Sequence, residues 1–442
     1  MKTSGAHGGV AARALTLGPV RQRIAPDTAS SFYLIARSDR GTAFAHHFVR
    51  NLGGSDSVDT GAPYAPWRYI GTAELPAFDS SPTDAGRFVY SDDTGAQDYA
   101  LQFTANGKYG GSYHGGEALT AEAVRLDGVA VDPAQAASGS QFSLFHSSTV
   151  TSGGNSYTME FTVTVRSSDG ALAFHCATSA SAASFSTVFM GMVIGSGAYD
   201  EASIRLSGGS QDMALPVQVG TTYIGNAFSV RMRRTDNGRA IRTVANIPGQ
   251  PNFRRTKIVR TGGRSKLYFE GTNGTLGTKV NLVWTVTFEA GATGASSFPT
   301  NLLGNGGFAS DLSGWTATHN PSGIAWSAPG IMRMTRSASA DGRCLQGVST
   351  QAGAVYLLSA SETSTPAASQ GMASIGLTSA SNGSISTPAP ALSPVTNEAG
   401  YNAHVVIATQ ATHYAIATQA LGTAGQTSDF DDFSLIKLAD SI

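Results

Sequence analysis

Charge is what this chain has least of. Only 13% of its 442 residues are charged, about half the usual share. Its 29 Lys and Arg nearly cancel 30 Asp and Glu, leaving a formal net charge of −1. No overall basic excess argues for nucleic acid, and no acidic tail argues for a cationic partner. The two cysteines, Cys176 and Cys344, exclude a disulfide framework and a Cys-based zinc site, and both are expected as buried free thiols. No run approaches ~18 consecutive apolar residues, so no membrane insertion is expected. The opening MKTSGAHGGVAARALTLGPVRQ lacks the apolar stretch of a secretory signal. Apolar spacing of helical period never extends beyond about two turns. No Gly-x-Ser-x-Gly, His-Glu-x-x-His or phosphate-binding loop is present.

What remains is β-structure. Tyr157, Met159, Phe161, Val163 and Val165 alternate with polar residues, and so do Val280, Leu282, Trp284, Val286 and Phe288. Period two with one apolar face is the mark of a half-buried antiparallel strand. Further strands are expected at Phe32–Ala36, Ala43–Val49, Tyr99–Phe103, Ala123–Val131, Phe142–Phe145, Val188–Ile194, Thr222–Ile224, Phe228–Arg233 and Lys257–Arg260. Asp127-Gly128, Asp169-Gly170, Asn237-Gly238 and Asn273-Gly274 are turn signals between strands. The expected fold class is all-β: antiparallel β-sandwich domains followed by a C-terminal jelly-roll sandwich. Residues 1–30 read as a polar N-terminal leader or attachment segment, 31–290 as a β-sandwich domain open to division near Asp132–Ser140, 291–300 as a small-residue linker, and 301–442 as the jelly roll, a separately folding unit.

The last assignment rests on residues. Asn301-Leu302-Leu303-Gly304-Asn305-Gly306-Gly307-Phe308, then Ser313-Gly314-Trp315, and at the end Asp429-Phe430-Asp431-Asp432-Phe433, resemble the opening and closing motifs of carbohydrate-binding-module jelly rolls. The resemblance implies that first and last strands pair and that exposed aromatic rings stack on sugars. Trp326, Tyr356, Tyr401, His404 and Tyr414 are the glycan-binding candidates, with Asn402 and His413 near them in sequence. Trp315 belongs to the structural motif and is expected in the core. The family often places an acidic residue after the motif's Phe, where this chain has Ala309. A structural calcium would have to fall to Asp311, Asp431 and Asp432; otherwise no cofactor is expected.

Two clusters stand out in the larger domain. Gly110-Gly111-Ser112-Tyr113-His114-Gly115-Gly116-Glu117 gathers Tyr113, His114 and Glu117 in a glycine-rich loop, either as a plain turn or as an acid/base or metal-ligand group joined by His46 or His47. Eleven of the 29 Lys and Arg fall between Arg231 and Lys266. Among them Arg231, Arg233, Arg254 and Arg255 read either as a grip on acidic glycans or as the outer face of a hairpin.

In style the chain is similar to bacteriophage or gene-transfer-particle fibre and spike proteins. That resemblance implies a virion-surface location, attachment to other virion proteins through the N-terminal segment, a homotrimer, and host surface polysaccharide as ligand. A polysaccharide lyase or glycosidase with a binding module is the alternative, its carboxylate pair drawn from Glu117 with Glu160 or Asp127. A purely structural capsid-decoration or tail component is a third reading. No catalytic residue is assigned.

Overall fold

The computed structural model describes residues 21–39, 41–49, 67–82, 102–105, 108–110, 118–152, 155–180, 188–194, 199–225, 227–245, 253–261, 264–271, 280–319, 323–327, 330–336, 342–365, 373–382, 401–419 and 424–442. All regular structure among them is β, in four sheets. The all-β sandwich class expected from the period-two patterns is what the chain forms.

A five-stranded sheet runs, in spatial order, Arg68–Leu75, Ala43–Val49, Ser31–Arg37, Gln22–Thr28, Ala137–Gly139. A ten-stranded sheet runs Met213–Pro216, Tyr199–Leu206, Ala227–Arg234, Ala240–Ala245, Val280–Glu289, Leu172–Ala180, Asn155–Val165, Phe142–Ser152, Ala118–Leu126, Val129–Ala130. Phe161, Val163, Val165, Trp284 and Val286, from the two alternating patterns, are buried on its inner face. They pack with Phe32, Phe48 and Tyr69 of the five-stranded sheet in one core. Phe174 stacks on Trp284 at 5.2 Å, and Phe32 on Phe48 at 5.1 Å. Turn chemistry is as read: Asp127 and Gly128 take φ of 50° and 80°, and Gly170 and Gly238 also lie in the left-handed region. Asn273-Gly274 lies outside the described residues, and Tyr99–Phe103 falls mostly outside them, the strand there being Gln102–Ala105.

The leader reading needs correction. Gln22–Thr28 is a strand paired on both sides, with Ser31–Arg37 and with Ala137–Gly139. Ile24 is buried, and so is Gln22. The Gln22 amide donates to Val165 O and its Oε1 accepts Phe142 N–H at 2.6 Å, joining the two sheets through a polar core residue. Residues 1–20 lie outside the described residues.

The C-terminal sandwich shares a sheet with the rest. A four-stranded sheet (Thr316–His319, Gly342–Ser349, Thr412–Gln419, Ala373–Thr378) faces the strands Met332–Thr335, Thr427–Ala439, Val355–Thr365 and Tyr401–Ile407. Those four belong to an eleven-stranded sheet that starts at Ile324–Trp326 and continues through Gly220–Ile224, Phe253–Thr261, Arg264–Gly271, Val188–Ile194, Gln102–Ala105 and Lys108–Gly110. The junction is a parallel pairing, Thr221↔Asn402 to Ile224↔Val405. Tyr356, Leu358 and Val406 point into the C-terminal core, while Val355, Leu357 and Val405 point into the large one. A sheet covered on both faces buries every position, not every second one. Tyr401–Ile407 accordingly shows five consecutive buried residues. The 301–442 unit is thus continuous in hydrogen bonding with the larger domain.

The linker is also tied down. Arg233 donates to Ala292 O at 2.8 Å and Gly294 O at 3.0 Å, and to the Glu201 carboxylate at 2.5 Å. Glu201 in turn accepts Ser296 N–H and Oγ–H. Burial alone would raise the Glu201 carboxyl, but Arg233 and Ser296 outweigh it and hold it below the usual carboxylate range.

Candidate functional site

The opening motif builds the site. Asn301 Oδ1 accepts Leu303 N–H and Leu435 N–H, while its amide donates to Phe433 O. Leu302 N–H reaches Leu435 O, and Phe433 N–H reaches Gly306 O, so the opening and closing motifs of the C-terminal unit pair as the resemblance implies. A Cβ on Gly306 would stand 2.0 Å from Phe433 O, which only glycine avoids. The Asn305 amide fans onto Asp311 O and Ser313 O. Phe308 is fully buried, against Trp315 at 5.5 Å and Phe433 at 6.1 Å. Trp315 is core, as expected.

Phe308 adopts φ of 43°, which turns its carbonyl outward to a double acceptor role. Gly330 N–H donates to it at 3.1 Å, and the Trp326 indole N–H at 2.8 Å. Trp326 lies on the edge strand Ile324–Trp326, opposite Met332, and is 40% exposed. The other three tryptophans, Trp67, Trp284 and Trp315, are buried. One edge of the Trp326 indole is therefore fixed to the backbone while much of the ring faces water. Asp431 packs against Gly330 in the turn that follows. Burial, then the charge of Asp432, pushes its carboxyl above the ordinary range. An immobilised aromatic face of this kind can stack on a pyranose.

The other glycan candidates fall elsewhere. Tyr356 is 2% exposed, its hydroxyl accepting Gln351 N–H. His404 is 5% exposed and stacked on Tyr223 at 5.1 Å across the parallel junction. Neither offers a ring face, because the strands carrying them are covered on both sides. Tyr401 packs against the large core, and burial pushes its hydroxyl upward. Tyr414 is half-buried over Gly347 on the four-stranded sheet, away from Trp326. Asn402 and His413 are buried, and His413 accepts Thr409 N–H through Nε2. The acidic residues do not make a metal site. Asp311 Oδ1 accepts Ser313 N–H, Asp431 Oδ1 accepts Asp432 N–H, and among the described residues no three His, Cys, Asp or Glu gather to hold an ion.

Tyr113, His114 and Glu117 lie outside the described residues. His46 is not available to join them. Its Nε2–H donates to Gly170 O at 3.1 Å, so Nδ1 must accept from the Thr72 hydroxyl at 2.8 Å, which in turn accepts from Tyr69. Burial lowers its pKa to about 3, and that of His47 to about 4. Asp127 accepts Ser140 and Gln141 N–H as a turn cap. Cys344 is a buried free thiol with its pKa pushed up to about 12 by burial.

The arginine cluster is a set of ion pairs, not an open grip. Arg231 and Arg242 divide the two oxygens of Glu289 at 2.6 and 2.8 Å, and Arg242 also reaches Asp212. Arg239 pairs with Glu74, and Arg233 is the linker latch. The side chains of Arg254 and Arg255 lie outside the described set. Sequence reasoning missed these pairings because the acids lie up to 165 residues from their arginines (239 − 74). It also missed a cleft of about 780 Å³ near Glu289, lined by Asp39, Glu74 and Asp169 among others.

No protein-family model matches the sequence, and no curated protein matches it. Solved structures with some likeness include an α-galactosidase from Lactobacillus brevis (9% identity, TM-score 0.35, 61% of this chain and 41% of that one). A putative aldose 1-epimerase from Escherichia coli K12 shows 9% identity and a TM-score of 0.32 over 62% of this chain and 99% of that one. The CBM22-1 xylan-binding domain of Paenibacillus barcinonensis Xyn10C shows 15% identity and a TM-score of 0.25 over 33% of this chain and 99% of that one. This chain spans about two fifths of the length of the α-galactosidase. At such scores the likeness fixes no activity.

Proposed function

We propose that the protein binds cell-surface polysaccharide without cleaving it, and that it does so as a surface fibre or spike component of a phage-like virion. The observation that carries the binding reading is Trp326: an exposed ring whose indole N–H is held by Phe308 O, at the edge of the C-terminal sandwich. Free aromatic faces on rigid β-scaffolds stack on sugar rings at little entropic cost. The virion placement is supported by the all-β modular plan and by the low charge of the sequence. The trimer and the N-terminal attachment to other virion proteins belong to that placement.

The enzyme alternative turns on Glu117, which lies outside the described residues. Hydrolysis of a glycosidic bond needs a protonated carboxyl beside an ionised one. Asp127, one of the acids considered for such a pair, is committed to capping a turn. Incubating the intact chain with host surface polysaccharide tests both points. Co-sedimentation without release of reducing ends or unsaturated uronates is the expected result. Release of either product refutes the non-enzymatic reading, and failure to co-sediment with any host polysaccharide refutes binding.

A further inference from the structure

We infer that the large domain carries a second carbohydrate site, a cleft that takes a neutral oligosaccharide and works independently of Trp326. This deepens the polysaccharide-binding proposal by adding a site in a different lobe and by stating the charge class of its ligand.

Three strand ends converge on the cleft. The Ser31–Arg37 to Ala43–Val49 hairpin brings Ser38, Asp39 and Thr42; the turn after Asn155–Val165 brings Ser168 and Asp169; the end of Val280–Glu289 brings Thr287 and Glu289. Asp39 N–H donates to Ser168 O, which fastens the first two together. Phe44 and Phe288, with centroids 5.7 Å apart, provide the apolar part of the lining. The turn presses so closely on Phe44 that a Cβ on Gly170 would meet its ring at 2.8 Å, and Gly170 also holds φ of 71°. The shape is therefore fixed before any ligand arrives. Its volume of about 780 Å³ lies within the usual range of ligand clefts.

Charge selects the ligand. Each of the four lining carboxylates already has an arginine: Arg21 on Asp39, Arg166 on Asp169, Arg239 on Glu74, and Arg231 with Arg242 on Glu289. A cation would have to displace those arginines, and an anion would have to displace the carboxylates. A neutral polyol displaces neither. Its hydroxyls donate to carboxylate oxygens left over from the pairing, such as Asp39 Oδ2, and accept from Ser and Thr hydroxyls, while its C–H face meets Phe288. Burial would raise the Asp169 carboxyl, but the Arg166 fork and Ala171 N–H hold it below the usual range, so it serves as an acceptor and not as a general acid. Ser168, exposed at the cleft, offers such a donor hydroxyl.

Hydrogen exchange of the intact chain tests the inference, with xylotriose, maltotriose and cellotriose as neutral probes and trigalacturonate as the anionic one. At least one neutral trisaccharide should protect the segments around Ser38–Thr42, Ser168–Gly170 and Thr287–Glu289 together, and protection should persist in Trp326→Ala. Ser168→Ala should weaken that protection at least about fivefold without lowering the melting temperature, since it removes an exposed hydroxyl of the cleft lining. Protection by none of the neutral probes overturns the inference. So does protection by trigalacturonate alone, which would make the cleft an anion site. Protection that disappears in Trp326→Ala and survives Ser168→Ala would leave the polysaccharide proposal standing and sink this one.

Discussion

Mild acid should destabilise this protein through His46 and His47. Both imidazoles are neutral in the fold: burial lowers His46 to about 3 and, against the pull of Asp27, His47 to about 4. An unfolded histidine titrates near 6.5. A folded pKa below the unfolded one means that the unfolded chain takes up protons first. The stability these groups confer is therefore complete above about pH 6.5 and is lost as pH falls towards 4 and then 3. Each group costs about 1.4 kcal/mol per pH unit in that window, so at pH 5 the pair removes on the order of 4 kcal/mol. That is a large part of the ~5–15 kcal/mol of a typical domain. Protonation also has a structural meaning, because a proton on His46 Nδ1 opposes the hydroxyl that Thr72 donates to it. Urea unfolding between pH 7 and pH 5 reads the slope directly. The range stops at pH 5 so that Asp169 and Glu201, both held low, contribute little. His46→Gln and His47→Gln should each flatten the slope, the remainder including His413, whose pKa burial also lowers. A stability independent of pH across that range, or an unchanged slope in both variants, would show that these rings are not buried neutral.

Arg233→Met leaves the Glu201 carboxylate buried beside Ser296 without its cation, and urea unfolding should show a loss of about 3–5 kcal/mol; a loss under 1 kcal/mol would mean the latch does not form. Phe433→Ala should cost about 3–5 kcal/mol, since Phe433 is 1% exposed against Phe308 and Trp315. A chain beginning at Ser31 loses the Gln22 bridge and Ile24, and should be recovered aggregated or with a lower melting temperature; an unchanged melting temperature would return Gln22–Thr28 to the status of a leader.

What the sequence showed and what it hid follow from how many faces of each strand are covered. Asn155–Val165 and Val280–Glu289 are covered on one face, so their alternation was legible, and Phe161, Val163 and Val286 are inside. The pairing of opening and closing motifs was legible because Asn301, Gly306 and Phe433 satisfy local geometry. Gln22–Thr28 was not, because its key inward group is a glutamine amide that carries no hydrophobic signal. Nor was the parallel junction of Gly220–Ile224 with Tyr401–Ile407, where burial on both faces erases the alternation and the partners lie about 180 residues apart (402 − 221 = 181). The same burial removed Tyr356 and His404 from the glycan candidates. Trp326 could be named from sequence as an aromatic but not as the exposed one, which depends on the acceptor supplied by Phe308 O.

The most direct test of polysaccharide binding uses the fact that Trp326 is the only tryptophan among four that faces water. Acrylamide quenching of intrinsic fluorescence should show one accessible component, absent in Trp326→Phe. Adding host surface polysaccharide should protect that component, and Trp326→Ala should weaken binding at least about tenfold, or ~1.4 kcal/mol. Binding of full strength in Trp326→Ala, with quenching of the wild-type protein unchanged by the polysaccharide, would contradict the account.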